Sequence, residues 1–228
     1  MSGTGPGLFV PSYYRADDPA AAVRAHPFAL LVTAESGIRA TSIPIFFESD
    51  AATATMIGHM ARRNPHAGSL RDGEPVLAVF SGPHAYVSPR WYVEMPEVPT
   101  WNYIVAHVRG TIHPIDDEAG QIAILERSAA ILEADTDTPW KPDQASGRVS
   151  ELLSRIRSFR IRVEQIEGAT KLSQRHPASD RARVAEQLAA KGDGNSMEIA
   201  ALMRALPESG RQQAGESHPA TNRRPDSG

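Results

Sequence analysis

Between Phe28 and His113 one pattern recurs: short runs of apolar, β-branched and aromatic residues, separated by turn-forming residues. Phe28 to Ala34 (FALLVTA) is a continuous apolar run that ends at Glu35-Ser36-Gly37. Ile38 to Glu48 follows, with Pro44 requiring a bulge or an edge position, then Thr53 to His59 and Pro75 to Gly82. Trp101 to His113 alternates clearly in VAHVRGTIH. Five or six strands at short intervals, with few helices between them, predict an antiparallel barrel or sandwich.

Helical signals flank this block. Asp17-Asp18-Pro19 supplies a cap and an early proline for a short helix through about Ala25, and His26-Pro27 ends it. After Asp116-Asp117 the period changes, with Ile122, Leu125, Ala129 and Leu132 at helical spacing. A loop holding Pro139, Trp140 and Pro142 leads to a second helix carrying Val149, Leu152, Leu153 and Ile156. Phe159, Ile161 and Val163 alternate with charged residues as a one-sided strand. Two helices are expected near 179–190 and 197–206. Residues 207–228 have only two alanines as apolar residues and read as a disordered tail.

Composition excludes several classes of function. Zero cysteines remove disulfide scaffolds, thiolate metal sites and cysteine nucleophiles. A net charge of −3 argues against a surface built throughout for nucleic acid. No apolar run reaches the ~18 residues of a membrane span, and MSGTGPG lacks the regions of a signal peptide, so a cytoplasmic protein is expected. GTGPG follows no strand and GDGN links helices, so neither is a dinucleotide fingerprint. The eight histidines show no metal-ligand spacing.

Four segments are richer in polar, aromatic and special-backbone residues than stability requires. Gly58 to His66 (GHMARRNPH) places His59, Arg62, Arg63 and Asn64 at a strand end, either as an anion site or as an Asn-Pro turn with solvated arginines. Gly82 to Tyr92 brings Ser88, Trp91 and further aromatics between prolines, as one wall of a slot for a planar ligand or as a plug. Thr100-Trp101-Asn102 carries groups able to read a ring edge, or simply begins a strand. Lys171 and Gln174, in GATKLSQ, suit a phosphate contact or a solvated loop. Arg155, Arg157, Arg160 and Arg162 form a basic cluster open to DNA phosphates or to solvent.

Taken in order, VPSYYR, HPFALLVT, GHMARRNPH, VFSGPHAYVSPRWY, VPTWNY and KLSQ resemble the PaiB family, described as FMN-binding negative transcriptional regulators. The resemblance runs from about Leu8 to Leu206. It implies an α+β fold: an antiparallel split β-barrel of the pyridoxamine phosphate oxidase type, with peripheral helices and a C-terminal helical segment. The expected division is a cofactor-binding domain over 8–176, a helical extension over 177–206 and a tail over 207–228. The resemblance also implies a homodimer with ligand sites where the two copies meet. DNA as a partner rests on the resemblance alone, and no membrane is implied.

Carried onto this chain, the family motifs imply that His59, Arg62, Asn64, Ser88, Trp91, Thr100, Trp101, Asn102, Lys171 and Gln174 hold FMN. Arg62 and Lys171 are expected near an anionic group, and Thr100, Trp101 and Asn102 near a ring edge. Catalytic residues stay unassigned. One departure is plain: Ser42, in Ala-Thr-Ser-Ile-Pro, stands where the family usually has histidine. A second branch of the family looks like haem enzymes, the piperazate synthases, which close an N–N bond. That likeness implies His59 of Gly58-His59-Met60 as the axial ligand of haem b. A flavin oxidoreductase is the remaining alternative.

Overall fold

A computed structural model describes residues 7–49, 55–94, 97–138 and 146–207. Six strands are present: β1 (Phe28–Thr33), β2 (Arg39–Phe47), β3 (Thr55–Ala61), β4 (Glu74–Val87), β5 (Thr100–Ile115) and β6 (Ile156–Lys171). Among the described residues six α-helices accompany them: α1 (Pro19–Ala25), α2 (Pro65–Ser69), α3 (Glu118–Leu132), α4 (Ser146–Leu153), α5 (Ala178–Lys191) and α6 (Gly194–Ala205). Every neighbouring strand pair is antiparallel, in the order β1-β2-β3-β6-β5-β4.

The α+β class and the peripheral helices are as expected. The split barrel is not. The first and last strands of that order pair with each other, Ala29–Thr33 of β1 against Val76–Phe80 of β4, so no gap divides the sheet. The backbone of β1 is flanked by a ladder on each side, against β2 and against β4, and it is this second, long-range pairing that closes the sheet.

Two strands are longer than the residue pattern indicated. β4 runs on through Pro83, because a register shift between Ser81 and His84 relieves the missing N–H. β6 continues through Gly168-Ala169-Thr170-Lys171, which had the look of a loop, and Ile156 opens this strand instead of closing a helix. Pro44 needs no bulge. It pairs with Phe28 of β1, while the β2–β3 ladder begins only at Ile45. The loop at 139–142 and the expected tail beyond Pro207 lie outside the described residues.

Alternation along the strands sorts side chains into three clusters. Leu31, Ile45, Met56, Phe80, Val108 and Phe159 fill the inner face, and Val23 of α1 closes its mouth. Phe80 and Phe159 are fully buried, and each burial contributes roughly 1.5–3 kcal/mol. On the outer face, Phe46 and Ile57 are covered by Ile124 of α3. Beyond the ring, the extended ends of β4 and β5 carry Ala85, Val87 and Asn102 against α5 and α6, where Val184, Leu188, Ile199 and Met203 pack. Asp18, Asn64, Asp117 and Asp193 cap α1, α2, α3 and α6 through their side chains.

The outer face of β1 is left open. Phe28 is 64% exposed and Leu30 40% exposed, and their cross-strand neighbours include Pro44 and Val79.

Candidate functional site

The ten candidate cofactor residues fall into two groups at opposite ends of β6. His59 lies on β3 directly across from Ser158, near the start of β6. Lys171 ends the same strand, thirteen residues further along, which is about 40 Å of extended chain. No flavin mononucleotide spans that length. Within one copy the two groups lie apart along the strand.

The first group holds His59, Arg62 and Asn64. His59 projects from the outer face, half-buried, and its ring makes no hydrogen bond to a described residue. Burial lowers its pKa below the ordinary 6.5, so the imidazole is neutral at pH 7. Opposite it, the Ser158 hydroxyl is fully buried and has no hydrogen-bond partner among the described residues. Arg62 is exposed, donating from Nε to the Ile156 carbonyl (3.0 Å) and from Nη1 toward Asp116 (3.4 Å). Asp116 also takes two bonds from Arg157 (3.1 and 2.9 Å), which hold its carboxyl below the usual carboxylate range.

Asn64 works mainly within the fold. Its Oδ1 accepts the His66 N–H (2.9 Å) and its Nδ2 donates to Thr41 Oγ1 (3.1 Å). His66 is buried with both ring nitrogens engaged, Nε2 with Thr33 (3.1 Å) and Nδ1 with Thr41 (2.9 Å). Ser42 is exposed on β2, opposite Leu30.

The second group holds Ser88, Trp91, Thr100, Trp101, Asn102, Lys171 and Gln174. Trp101 is 52% exposed and meets the Tyr86 ring edge-on at 6.2 Å, with His84 at 6.0 Å. Lys171 donates to Thr100 Oγ1 and lies over the Tyr14 ring at 5.6 Å. Burial lowers its pKa, and the carboxylate of Glu97 opposes that shift. Tyr14 itself is pushed up to about 12, first by burial and then by Tyr13.

Around these, several groups are occupied by structure. Asn102 is wholly buried and donates to Ser173 Oγ (3.1 Å) and toward Met203 Sδ (3.4 Å). Ser173 also shares a hydrogen bond with Tyr92 OH (3.1 Å), and its φ of 60° makes the turn after β6. Gln174 closes that turn by accepting from Leu172 N (2.8 Å) and donating to the Thr170 carbonyl. Ser88 accepts from Arg90 N (3.3 Å), and Trp91 packs beside the α5–α6 cluster.

Residue-level reading passed over Ser158, whose burial depends on β5 and β3 flanking it on either side. His176 was missed as well; its ring lies against that of Tyr92, tilted by 40° with centroids 4.5 Å apart. The arginine cluster is neutralised where it stands: Arg155 pairs with Glu151, Arg157 with Asp116, Arg160 with Glu48 and Arg162 with Glu164. Among the described residues no group of three histidine or carboxylate side chains is arranged to hold a metal ion. No described helix is long and apolar enough to cross a membrane.

An antiparallel six-stranded sheet, with a histidine-bearing strand at one end and exposed aromatics at the other, defines the structural class. The chain belongs to the family described as "Putative FMN-binding domain", whose model matches residues 8–165. It is 34% identical over 203 residues to the protease synthase and sporulation protein PAI 2 of Bacillus subtilis, covering 86% of this chain and 96% of that one. An uncharacterized protein of Aspergillus fumigatus is 27% identical over 230 residues, covering 78% of this chain and 88% of its own. Among solved structures, a conserved hypothetical protein of Mycobacterium tuberculosis aligns with a TM-score of 0.49 at 12% identity, over 72% of this chain and 90% of that one.

Proposed function

We propose that this protein binds FMN between two copies of itself, each site combining the His59 end of one copy with the Trp101–Lys171 end of the other. The observation that carries the reading is the separation of the two half-sites along β6, which no single copy bridges. The open apolar face of β1 gives the second copy a surface to bury. Family membership supports FMN as the cofactor.

The residues present suit the group. Arg62, and Lys171 beside Thr100, offer cations for a phosphate, and Trp101 offers an exposed π face for the ring. Asn102 and Asn64 orient this machinery from within the fold. Bound FMN would supply electron-transfer chemistry. Loading purified protein with FMN, followed by light scattering and a visible spectrum, tests the reading: a flavin-bearing dimer is expected.

A role as a negative transcriptional regulator is part of the proposal and rests on the resemblance to the PaiB family. The arginines of β6 are each paired with a carboxylate, which offsets their charge toward phosphates. Sequence-specific promoter binding in a gel-shift assay at physiological salt is the test.

One observation favours a second reading. His59 is neutral, half-buried and free of hydrogen bonds to described residues, which suits an axial ligand to haem iron. A Soret band that disappears in His59→Ala would move the assignment to haem.

A further inference from the structure

We infer that the N-terminal segment and β6 enclose a second binding site, for a small carboxylate with an apolar body. The segment is pinned at two points. Leu8 N donates to Glu167 Oε2 (2.9 Å), and Ala16 N donates to the Gly168 carbonyl (3.0 Å), beside a bridge from Arg15 to Ala169. Between the pins the segment stands off the strand and leaves a cavity of about 380 Å3. That volume is at the small end of the roughly 300–1,000 Å3 typical of ligand sites.

The lining specifies the ligand. Leu8, Val10, Pro19 and Ile166 give apolar walls. Gly168 forms part of the lining, because a Cβ there would come within 2.8 Å of Pro19 Cβ. Glu167 already bonds Arg109 (2.7 Å) as well as the Leu8 N–H, so its charge is matched. Arg15 is the other charged residue of the lining, and its guanidinium has no ion pair or hydrogen bond to a described residue. An unpaired guanidinium beside an apolar wall recognises a carboxylate through two parallel hydrogen bonds and an apolar tail by burial. None of the ten candidate cofactor residues lines the cavity, so this site is independent of the flavin proposal.

The test is an amide NMR titration of the full chain with hexanoate and, separately, with 1-hexanol. Saturable shifts of the Leu8 and Gly168 amides with hexanoate are expected. Arg15→Gln should weaken this binding at least tenfold, Arg15→Lys should fall between it and the wild type because the ammonium keeps the charge and loses the two-pronged bond, and 1-hexanol should bind at least tenfold more weakly than hexanoate. Equal affinity for the alcohol, an unchanged Arg15→Gln titration or no saturable shift overturns the inference. Repeating the titration with FMN present should leave the affinity unchanged, whereas competition by FMN would assign the cavity to the cofactor and overturn the inference as well.

Discussion

His59 faces Ser158 across the β3–β6 ladder, and neither side chain has a hydrogen-bond partner among the described residues. A half-buried imidazole beside a buried lone hydroxyl is a costly arrangement, with the unsatisfied hydroxyl alone worth about 1–3 kcal/mol. Such a pair makes sense where a ligand supplies the missing bond. Ser158→Ala should therefore raise the stability of cofactor-free protein by up to about 1 kcal/mol while weakening FMN binding. Urea unfolding and a flavin titration read the two effects, and a fall in stability would contradict the assignment.

His66 anchors the strand ends below that site. Its two nitrogens satisfy Thr33 and Thr41, and Thr33 is itself buried. His66→Ala removes both bonds and leaves a cavity, at an expected cost of about 2–4 kcal/mol in urea unfolding. A cost under about 1 kcal/mol would mean water replaces the ring freely.

Acid should destabilise the fold through its histidines. Burial lowers the pKa of His59, His66, His107 and His176 below 6.5. The unfolded chain then binds more protons than the folded one in the window below 6.5, so stability is fully present above it and falls as pH drops through the folded values. Thermal midpoints should decline steadily from about pH 7 to pH 5. His66→Gln should show a shallower decline, and a flat wild-type profile would refute the linkage.

Gly110 sits at the register shift of the β5–β6 ladder, where a Cβ would lie 2.1 Å from the Arg162 carbonyl oxygen. Two backbones meet there, so no flexible side chain can yield. Gly110→Ala should cost about 3 kcal/mol or more, or prevent folding, as judged by circular dichroism and soluble yield.

The same close approach shows what was legible in the sequence and what was not. The apolar runs marked all six strands, and the cap residues Asp18 and Asp117 marked the starts of α1 and α3, because those signals are local. The far end of β6 was hidden, since Gln165 to Lys171 has no alternation and its pairing depends on β5. Closure of the sheet depends on the β1–β4 ladder, a relationship between residues over forty positions apart that no run of residues displays. The motif residues were all visible. Their division into two distant groups was not, because it follows from the length of one strand.

The open face of β1 should mediate pairing of two copies. Phe28→Asp places a charge in the centre of that apolar area and should convert a dimer into a monomer at micromolar concentration, with the circular dichroism spectrum unchanged. A dimer that survives this change would place the contact elsewhere.

The central claim is that one FMN is held where two copies meet. Titrating FMN into purified protein while following flavin absorbance and light-scattering mass measures it directly. The account predicts saturation at one flavin per chain in a particle of twice the chain mass, with both lost together in Phe28→Asp. Protein that stays a monomer and takes up no flavin would contradict it.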